Sequence, residues 1–352
     1  MSKSMLGKKI KAAILVEQRK PLVVSEIELP KTLDYGQVLV KIYYTGICGS
    51  QLNEIDGTKG PDKFLPHLLG HEGSGVVEEV GSGVKSVKPG DHVVLHWRKG
   101  EGIHSATSKY KWGDKSVNAG WVTTFSEYSV VSENRVTMIP KNFDMKTAPL
   151  YGCAITTAYG VIHNDSNMKM GDSIAVFGAG GVGVALVLMA SLISAYPIIA
   201  IDINDYKLKK AKEFGATHII NSSKEDVKKK ILEIVPGGVD VGVDTTGISS
   251  VREMCYELTS KEGITVGVGV PKAGTKICID SFPLHFTKKI TGSHGGDADP
   301  SYIIPRLARL QQSGRFDLEN MITHTFSLDE INKAIEMVRT GDTVRCIVDM
   351  SK

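Results

Sequence analysis

The chain lacks the features that mark membrane, secreted and nucleic-acid-binding proteins. No run reaches the roughly 18 apolar residues that cross a bilayer, and the N-terminal segment has neither the apolar core nor the cleavage pattern of a signal peptide. Basic and acidic residues nearly balance, at 42 and 39, so the net charge of +3 does not favour nucleic acid as a partner. We therefore expect a cytoplasmic protein that binds neither membranes nor nucleic acids.

Cysteine is also scarce. The five cysteines are spread along the chain, which is typical of reduced thiols or metal ligands rather than of a disulfide framework. The apolar fraction of 41% and the charged fraction of 23% are those of an ordinary globular protein. Since 352 residues exceed the length that one hydrophobic core usually serves, two domains are expected.

The pattern of predicted secondary structure changes near residue 155. Before it, short β-branched runs such as QVLVKIYYTGI alternate with proline and glycine, which predicts a mainly β region. After it, strand-like and helix-like segments alternate up to about residue 293, and this order predicts a doubly wound parallel sheet. The closing segments leave that pattern, so a return to the first domain is plausible.

A nucleotide-binding motif stands at the first of these later strands. In SIAVFGAGGVG, the glycines Gly178, Gly180 and Gly183 have GxGxxG spacing between a strand and a long apolar helix. The first glycine permits a tight turn, the second lets the backbone approach a pyrophosphate, and the third lets helix and strand pack closely. Phosphates then lie at the helix N-terminus, where unpaired N–H groups favour negative charge. The predicted contacts in this turn are Gly178, Gly180, Gly181, Val182 and Gly183.

An acid follows at the end of the next strand, PIIAID. The carboxylate of Asp202 is placed to accept hydrogen bonds from the ribose hydroxyls of an adenosine and to repel a 2′-phosphate. We therefore expect NAD rather than NADP, with Lys207 one helical turn later helping to fix the ribose.

A candidate metal site combines three distant residues. Cys48 lies in GICGSQLN, His71 in LGHEGSGVV beside Glu72, and Cys153 in YGCAITTAYG. Two thiolates and one imidazole suit a catalytic zinc, because they fill three tetrahedral positions and leave the fourth for water or substrate. Singly, each residue is more often a buried core residue, and the spacing is too wide to identify a zinc site by itself.

The same segments resemble the zinc-containing medium-chain dehydrogenase/reductase family, alcohol dehydrogenase type. GHEGSGVVEEVGSGVKSVKPGDHV is similar to its GHE, glycine-rich and PGD elements, and the similarity continues through FSEYSVV, KAKEFGATHIIN and TGDTVRCIV. The resemblance implies an α/β protein: a GroES-like, mainly β catalytic domain plus a Rossmann domain with a doubly wound parallel sheet. Its boundaries would be 1–154 for the N-terminal part of the catalytic domain, 155–293 for the Rossmann domain, and 294–352 for the segment that completes the catalytic domain.

The resemblance also assigns roles to residues. Cys48, His71 and Cys153 would bind the zinc, and Glu72 would be an acid near the metal that exchanges with water. The catalytic Ser50 would take the alcohol proton and pass it towards the cofactor ribose, although a turn serine bonded to nearby backbone is an alternative interpretation. The implied cofactor contacts include Thr157 near the nicotinamide, Val268 and Val270 lining it, and Arg345 on the pyrophosphate.

Several positions depart from the family pattern. Asn53 stands where liver-type relatives often end the proton relay in histidine, Gln51 replaces an aspartate that orients the histidine ligand, and Gly49 replaces an arginine. Residues 96–120 lack the four cysteines that hold a second, structural zinc in many relatives, so we expect one catalytic zinc only. The basic and aromatic residues of this segment suit a polar or anionic substrate, while a solvated surface lobe is an equally favoured alternative; they are His96, Trp97, Arg98, Lys99, His104, Lys109, Tyr110 and Trp112.

These features predict a zinc-dependent dehydrogenase that transfers a hydride between an alcohol and NAD, with an aldehyde or ketone as the other substrate. A sugar/polyol or formaldehyde-conjugate dehydrogenase of the same family is the main alternative. A zinc-free quinone-type reductase is disfavoured by the three retained ligands, and a non-enzymatic nucleotide-binding protein is favoured only by Asn53. Family similarity implies a homodimer or homotetramer.

Overall fold

The computed structural model describes residues 4–58 and 60–351. Contacts divide the chain into two units, one formed by Met1–Cys153, Asp299–Thr340 and Arg345–Lys352, the other by Ala154–Ala298 and Gly341–Val344. The division after Ala298 lies later than the predicted 293/294 boundary, because the turn Gly295–Asp297 packs on the helix Ala154–Gly160 at the start of the second unit.

The first unit is mainly β. Its strands are β1 (Lys9–Leu15), β2 (Val23–Glu28), β3 (Gln37–Ile47), β4 (His67–Leu68), β5 (Glu72–Val80), β6 (His92–His96), β7 (Lys109–Trp112), β8 (Lys115–Asn118), β9 (Tyr128–Ser132) and β10 (Val136–Ile139). Its remaining strands and its helices are β17 (Ile322–Ser327), β18 (Arg345–Asp349), α1 (Gly49–Ile55), α7 (Pro300–Gln312) and α8 (Ile331–Thr340).

These strands form two sheets. Strands β1, β2, β7, β8 and β4 close a barrel, and the 7-stranded sheet has the order β10-β6-β5-β3-β18-β17, with β9 pairing to β3. The C-terminal strand β18 pairs antiparallel with β3, with Cys346 opposite Ile47, so the end of the chain adds to the N-terminal sheet. Most side chains of β1 and β3 are buried, among them Ile10, Ile14 and Leu39, so both faces of these strands contribute to the core.

The second unit is an open α/β sheet. Its strands are β11 (Ile174–Phe177), β12 (Ile198–Asp202), β13 (His218–Asn221), β14 (Val239–Asp244), β15 (Thr259–Gly267) and β16 (Lys289–Gly292). Its helices are α2 (Ala154–Gly160), α3 (Gly181–Leu192), α4 (Asp205–Glu213), α5 (Val227–Ile234) and α6 (Ser249–Leu258).

The strand order of this sheet is β13-β12-β11-β14-β15-β16, and all of its pairs are parallel. It is the doubly wound order in which the direction of winding reverses between the first and fourth strands, here β11 and β14. Ligands of such sheets bind outside the carboxyl ends of the strands at this reversal. The predicted glycine turn follows β11 at that point, so the fold class predicted from the sequence is confirmed.

Candidate active site

The fold of the first unit brings the three predicted metal ligands together. Cys48 follows β3 and precedes α1, His71 lies between β4 and β5, and Cys153 follows a 3-10 turn, Ala148–Gly152. Strands β3 and β5 pair antiparallel, which places the end of one beside the beginning of the other. The sheet therefore gathers residues that are far apart in the sequence.

The geometry of this cluster suits a zinc ion. The ligand atoms of Cys48, His71 and Cys153 all lie within 4.8 Å of one another, and the two Sγ atoms are 4.0 Å apart. Tetrahedral zinc with Zn–S bonds of about 2.3 Å separates two thiolates by about 3.8 Å. His71 Nε2 is buried and has no hydrogen-bond partner among the residues that the structure describes, as expected of a nitrogen that binds a metal.

The two thiols are electrostatically unequal. The hydrogen bond with Cys153 lowers the pKa of Cys48 well below its usual value, and the same contact raises the pKa of Cys153. Each thiol therefore shifts the pKa of the other, and the thiolate is the form that binds metals.

A buried ion pair lies next to the cluster. Glu72 is fully buried, and its Oε1 accepts a hydrogen bond from Arg345 Nη1 at 3.3 Å. Burial raises the pKa of Glu72, although the positive charge of Arg345 opposes this shift. A Cβ at Gly46 would lie 2.3 Å from Glu72 Oε1, so this glycine leaves the space that the carboxylate fills. The structure thus places Arg345 on Glu72, and its contact with a pyrophosphate stays a prediction.

Helix α1 carries the candidate proton acceptor Ser50 and the three positions that depart from the family pattern, Gly49, Gln51 and Asn53. Gln51 is buried, and its Oε1 accepts a hydrogen bond from the backbone N–H of Cys48 at 3.2 Å. The amide that replaces the family aspartate therefore fixes the backbone of a ligand. Ser50 and Asn53 are half-buried on the same helix.

The glycine turn has the geometry expected of a pyrophosphate cradle. Gly178 has φ +98°, a conformation that favours glycine, and a Cβ at Gly183 would lie 1.8 Å from the carbonyl oxygen of Gly178. A Cβ at Gly180 would meet none of the described residues around the turn within 4 Å, so the space in front of it is open to a ligand. Gly181 and Val182 begin α3 and are half-buried.

Asp202, Lys207, Thr157, Val268 and Val270, the other cofactor candidates of the second unit, lie on several of its elements. Asp202 ends β12, and its Oδ2 accepts a hydrogen bond from Ala179 N at 2.7 Å, which ties the acid to the glycine turn. Lys207 lies on α4, and Thr157 is buried in α2. Val268 and Val270 follow β15; the first is half-buried and the second is exposed.

The structure divides the residues of segment 96–120 by role. His96, Tyr110 and Trp112 are held by the fold: the His96 ring bonds to Thr137, Tyr110 is buried, and Trp112 Nε1 donates to Ser25 Oγ at 2.9 Å. His104 and Lys109 are exposed. Only part of the predicted polar surface is thus available to a substrate.

Sequence reasoning missed Glu133, which holds this segment in place. Its buried carboxylate accepts hydrogen bonds from the backbone N–H groups of Lys85 at 2.7 Å, Ser86 at 2.8 Å and Ile103 at 2.9 Å. Two hydroxyls add further contacts, since Ser301 Oγ accepts from Glu101 N and Ser132 Oγ accepts from Ser105 N. No pattern in the sequence marks Glu133, because its partners are backbone groups. We call the carboxylate and its three donors the Glu133 clamp.

Sequence reasoning also missed Arg135. This arginine is 6% exposed, its Nη1 donates to the carbonyl oxygen of Trp97, and its guanidinium lies over the Trp121 ring, 5.6 Å from the ring centroid. Burial and the neighbouring charge of Arg98 lower the pKa of Arg135. Positive charge is therefore concentrated beside residues 97–98.

Comparisons with known proteins identify the family of the chain. Residues 34–141 match the alcohol dehydrogenase GroES-like domain, and residues 181–312 match the zinc-binding dehydrogenase domain. An S-(hydroxymethyl)glutathione dehydrogenase from Escherichia coli O1:K1 is 34% identical and aligns over 97% of this chain and 99% of its own length.

Two solved structures are similar over the same extent, 97% of this chain and 99% of each of theirs. A zinc-binding domain protein of the alcohol dehydrogenase type from Burkholderia ambifaria has a TM-score of 0.90 at 31% identity. Benzyl alcohol dehydrogenase from Acinetobacter calcoaceticus has a TM-score of 0.88 at 30% identity. Among the described residues, no helix is both long and apolar enough to cross a membrane. The chain therefore belongs to the zinc-containing medium-chain dehydrogenase/reductase family, alcohol dehydrogenase type, and is an oxidoreductase acting on CH–OH donors.

Proposed function

We propose that this enzyme transfers a hydride between a polar or anionic alcohol and NAD, with one zinc ion held by Cys48, His71 and Cys153. The observation that carries the proposal is the convergence of these three ligand atoms within 4.8 Å. A bound zinc would act as a Lewis acid on the substrate oxygen and lower the pKa of the alcohol. The proposal of a single zinc rests on the missing cysteines of segment 96–120.

The proposal of NAD rests on Asp202. Its carboxylate is fixed by two backbone N–H groups, since Oδ2 accepts from Ala179 at 2.7 Å and Oδ1 from Asn204 at 3.0 Å. A fixed negative charge at the end of β12 favours the two free hydroxyls of an NAD ribose over a 2′-phosphate. When bound, NAD accepts the hydride, while Gly178–Gly183, Lys207, Thr157, Val268 and Val270 would hold it in place.

The substrate proton requires a path away from the site. Ser50 lies two residues after Cys48, and we propose that its hydroxyl takes the proton from the alcohol and passes it towards the cofactor ribose. Asn53 cannot continue the path as a base, since an amide does not gain a proton near neutral pH. Water would therefore accept the proton after Ser50.

The preference for a polar or anionic substrate rests on the basic residues of segment 96–120, of which Lys99, His104 and Lys109 are exposed and Arg98 is half-buried. Guanidinium groups bind carboxylates and phosphates with charge-assisted hydrogen bonds. A formaldehyde-conjugate dehydrogenase is the second candidate, because the Escherichia coli relative is named for S-(hydroxymethyl)glutathione.

The test combines metal content with activity. Elemental analysis should find about one zinc per subunit, and a chelator should remove both the zinc and the reduction of NAD. Polar alcohols, including the hydroxymethyl adduct of glutathione, should be oxidised with a higher kcat/KM than short alkanols. Two zinc ions per subunit would contradict the single site, and equal kcat/KM for alkanols and charged alcohols would contradict the substrate preference.

Two further proposals concern the cellular location and the oligomeric state of the enzyme. A cytoplasmic location is supported by five cysteines that form no disulfide in the described residues. A homodimer or homotetramer is proposed from family similarity, and light scattering of the purified enzyme measures it directly.

A further inference from the structure

The turn after β14 contains a buried carboxylate with an unusual number of partners. Asp244 is fully buried, and its Oδ1 accepts hydrogen bonds from Thr246 N at 2.8 Å, Thr246 Oγ1 at 2.6 Å and Gly247 N at 3.3 Å. Its Oδ2 accepts from Arg252 Nε at 2.9 Å. Its main-chain carbonyl also accepts from the N–H groups of Val268 at 2.8 Å and Gly269 at 2.9 Å. Asp244 therefore joins its own turn to the loop after β15.

The same turn is attached to the nucleotide motif. The hydroxyl of Thr245 donates to the carbonyl oxygens of Phe177 at 3.0 Å and Gly178 at 2.9 Å. Residues 244–247 thus stand between the glycine turn on one side and residues 268–270 on the other. They lie at the carboxyl end of β14, beside β11, where a doubly wound sheet binds its ligand.

Arg252, on α6, fixes the loop from its far side. While Nε donates to Asp244, Nη2 donates to the carbonyl oxygen of Gly269 at 2.7 Å. The guanidinium packs on Gly267, where a Cβ would lie 2.8 Å from the guanidinium carbon. One planar group therefore makes two hydrogen bonds in fixed directions and fills the space that a glycine leaves open.

We propose that Arg252 is a positioning residue for the nicotinamide half of the cofactor. By holding Gly269 against the turn at Asp244, it sets the position of Val268 and Val270 relative to the glycine turn that would hold the pyrophosphate. This inference rests on the proposed function, in which these two valines line the nicotinamide. The adenosine half of the cofactor would depend on Asp202 and the glycine turn instead, so Arg252 affects the two halves unequally.

Two variants disturb the guanidinium in different ways. Arg252→Lys keeps a positive charge for Asp244, but a single ammonium does not reproduce the two directed hydrogen bonds of the guanidinium. Gly267→Ala keeps the arginine and displaces its guanidinium, because the new Cβ would lie 2.8 Å from it. Glu257→Gln, on the same helix, removes a surface ion pair with Lys228 and is the matched control.

The experiment measures binding of two probes to the full-length enzyme, NADH by its fluorescence and ADP-ribose by calorimetry. Both test variants should raise the Kd of NADH about tenfold and reduce the blue shift of bound NADH emission, because Val268 and Val270 would no longer be held in position for the nicotinamide. The Kd of ADP-ribose, which has no nicotinamide, should change less than about twofold. The control should bind both probes as the wild type does.

The outcomes separate this inference from the proposed function. If the wild type binds neither probe, the assignment of NAD is wrong, and the proposed role of Arg252 is refuted as well. If the wild type binds both, but the variants weaken both probes equally or neither, only the role of Arg252 is refuted. Thermal unfolding is measured alongside; failure of both test variants to fold, with the control folded, would make Arg252 a purely structural residue and overturn the inference.

Discussion

Substitution of Glu133 tests whether the Glu133 clamp holds the segment around Ile103 in place. In Glu133→Gln, the amide oxygen can still accept from Lys85 and Ser86, but its NH₂ group then faces the N–H of Ile103, donor against donor. The lost bond is one to a charged group, which contributes about 1.5–3 kcal/mol. Hydrogen exchange at Ile103 should therefore quicken about 10- to 100-fold.

Hydrogen–deuterium exchange with mass spectrometry on peptides that cover residues 99–105 measures this change. Glu101→Gln is the matched control, because Glu101 is exposed and only its backbone N–H makes the contact with Ser301. Unchanged protection at Ile103 in Glu133→Gln, or an equal loss in the control, would refute the clamp.

The clamp also has a pH dependence. Burial acts to raise the pKa of Glu133, but the hydrogen bonds from Lys85, Ile103 and Ser86 outweigh it and hold the pKa below its usual value. A depressed pKa means that the contribution to stability is present above the unfolded-state pKa of about 4.3 and is lost as the pH falls through the folded-state pKa. The difference in exchange between wild type and Glu133→Gln should therefore shrink below about pH 4.

Three further predictions follow from the described contacts. Gly180→Ala should unfold at the wild-type temperature, because its Cβ would have no close neighbour within 4 Å among the described residues, yet it should bind NADH at least about tenfold more weakly, because that Cβ would fill the space proposed for the pyrophosphate. Gly183→Ala should also lose stability, because its Cβ would lie 1.8 Å from the carbonyl oxygen of Gly178. Calorimetry measures the unfolding temperature, and titration measures the binding of NADH. Cys153→Ser should lower zinc per subunit by elemental analysis, whereas Cys255→Ser, a buried cysteine outside the cluster, should retain it. Burial lowers the pKa of His96 to about 4, so stability should fall by about 2 kcal/mol between pH 7 and pH 5 through this group alone, and wild-type thermal unfolding should be more sensitive to acid than that of His96→Asn.

The sequence was sufficient for the fold class because local signals and global topology agree there. The run from SIAVFGAGGVG to PIIAID contains strand, turn, helix and strand in an order that permits few arrangements, and β11, α3 and β12 match it. The pairing of β18 with β3 could not be predicted in this way. The segment RCIVDM has no local feature that identifies a partner strand more than 290 residues earlier. The change of pattern after about residue 293 made a return to the first domain plausible and the family resemblance implied it, but neither predicted the pairing with β3.

The residue types of the candidate site could be predicted from the sequence, but the hydrogen bonds that hold the surrounding segments in place could not. Cys48, His71 and Cys153 were selected by donor chemistry and resemblance, while their approach to within 4.8 Å depends on the pairing of β3 with β5. The supporting contacts of Glu133 and Arg252 involve backbone atoms, which carry no residue-specific signal. Such partners become visible only when the chain is folded.

The oxygen atoms that hold residues 101–105 have a consequence for metal removal. Many relatives order the matching region with four thiolates around a second ion, whereas here Glu133, Ser132 and Ser301 perform that task with hydrogen bonds. Removing the metal should therefore abolish the dehydrogenase activity without changing the structure of residues 101–105. The apoprotein should then protect residues 101–105 against hydrogen exchange as strongly as the zinc-bound enzyme does.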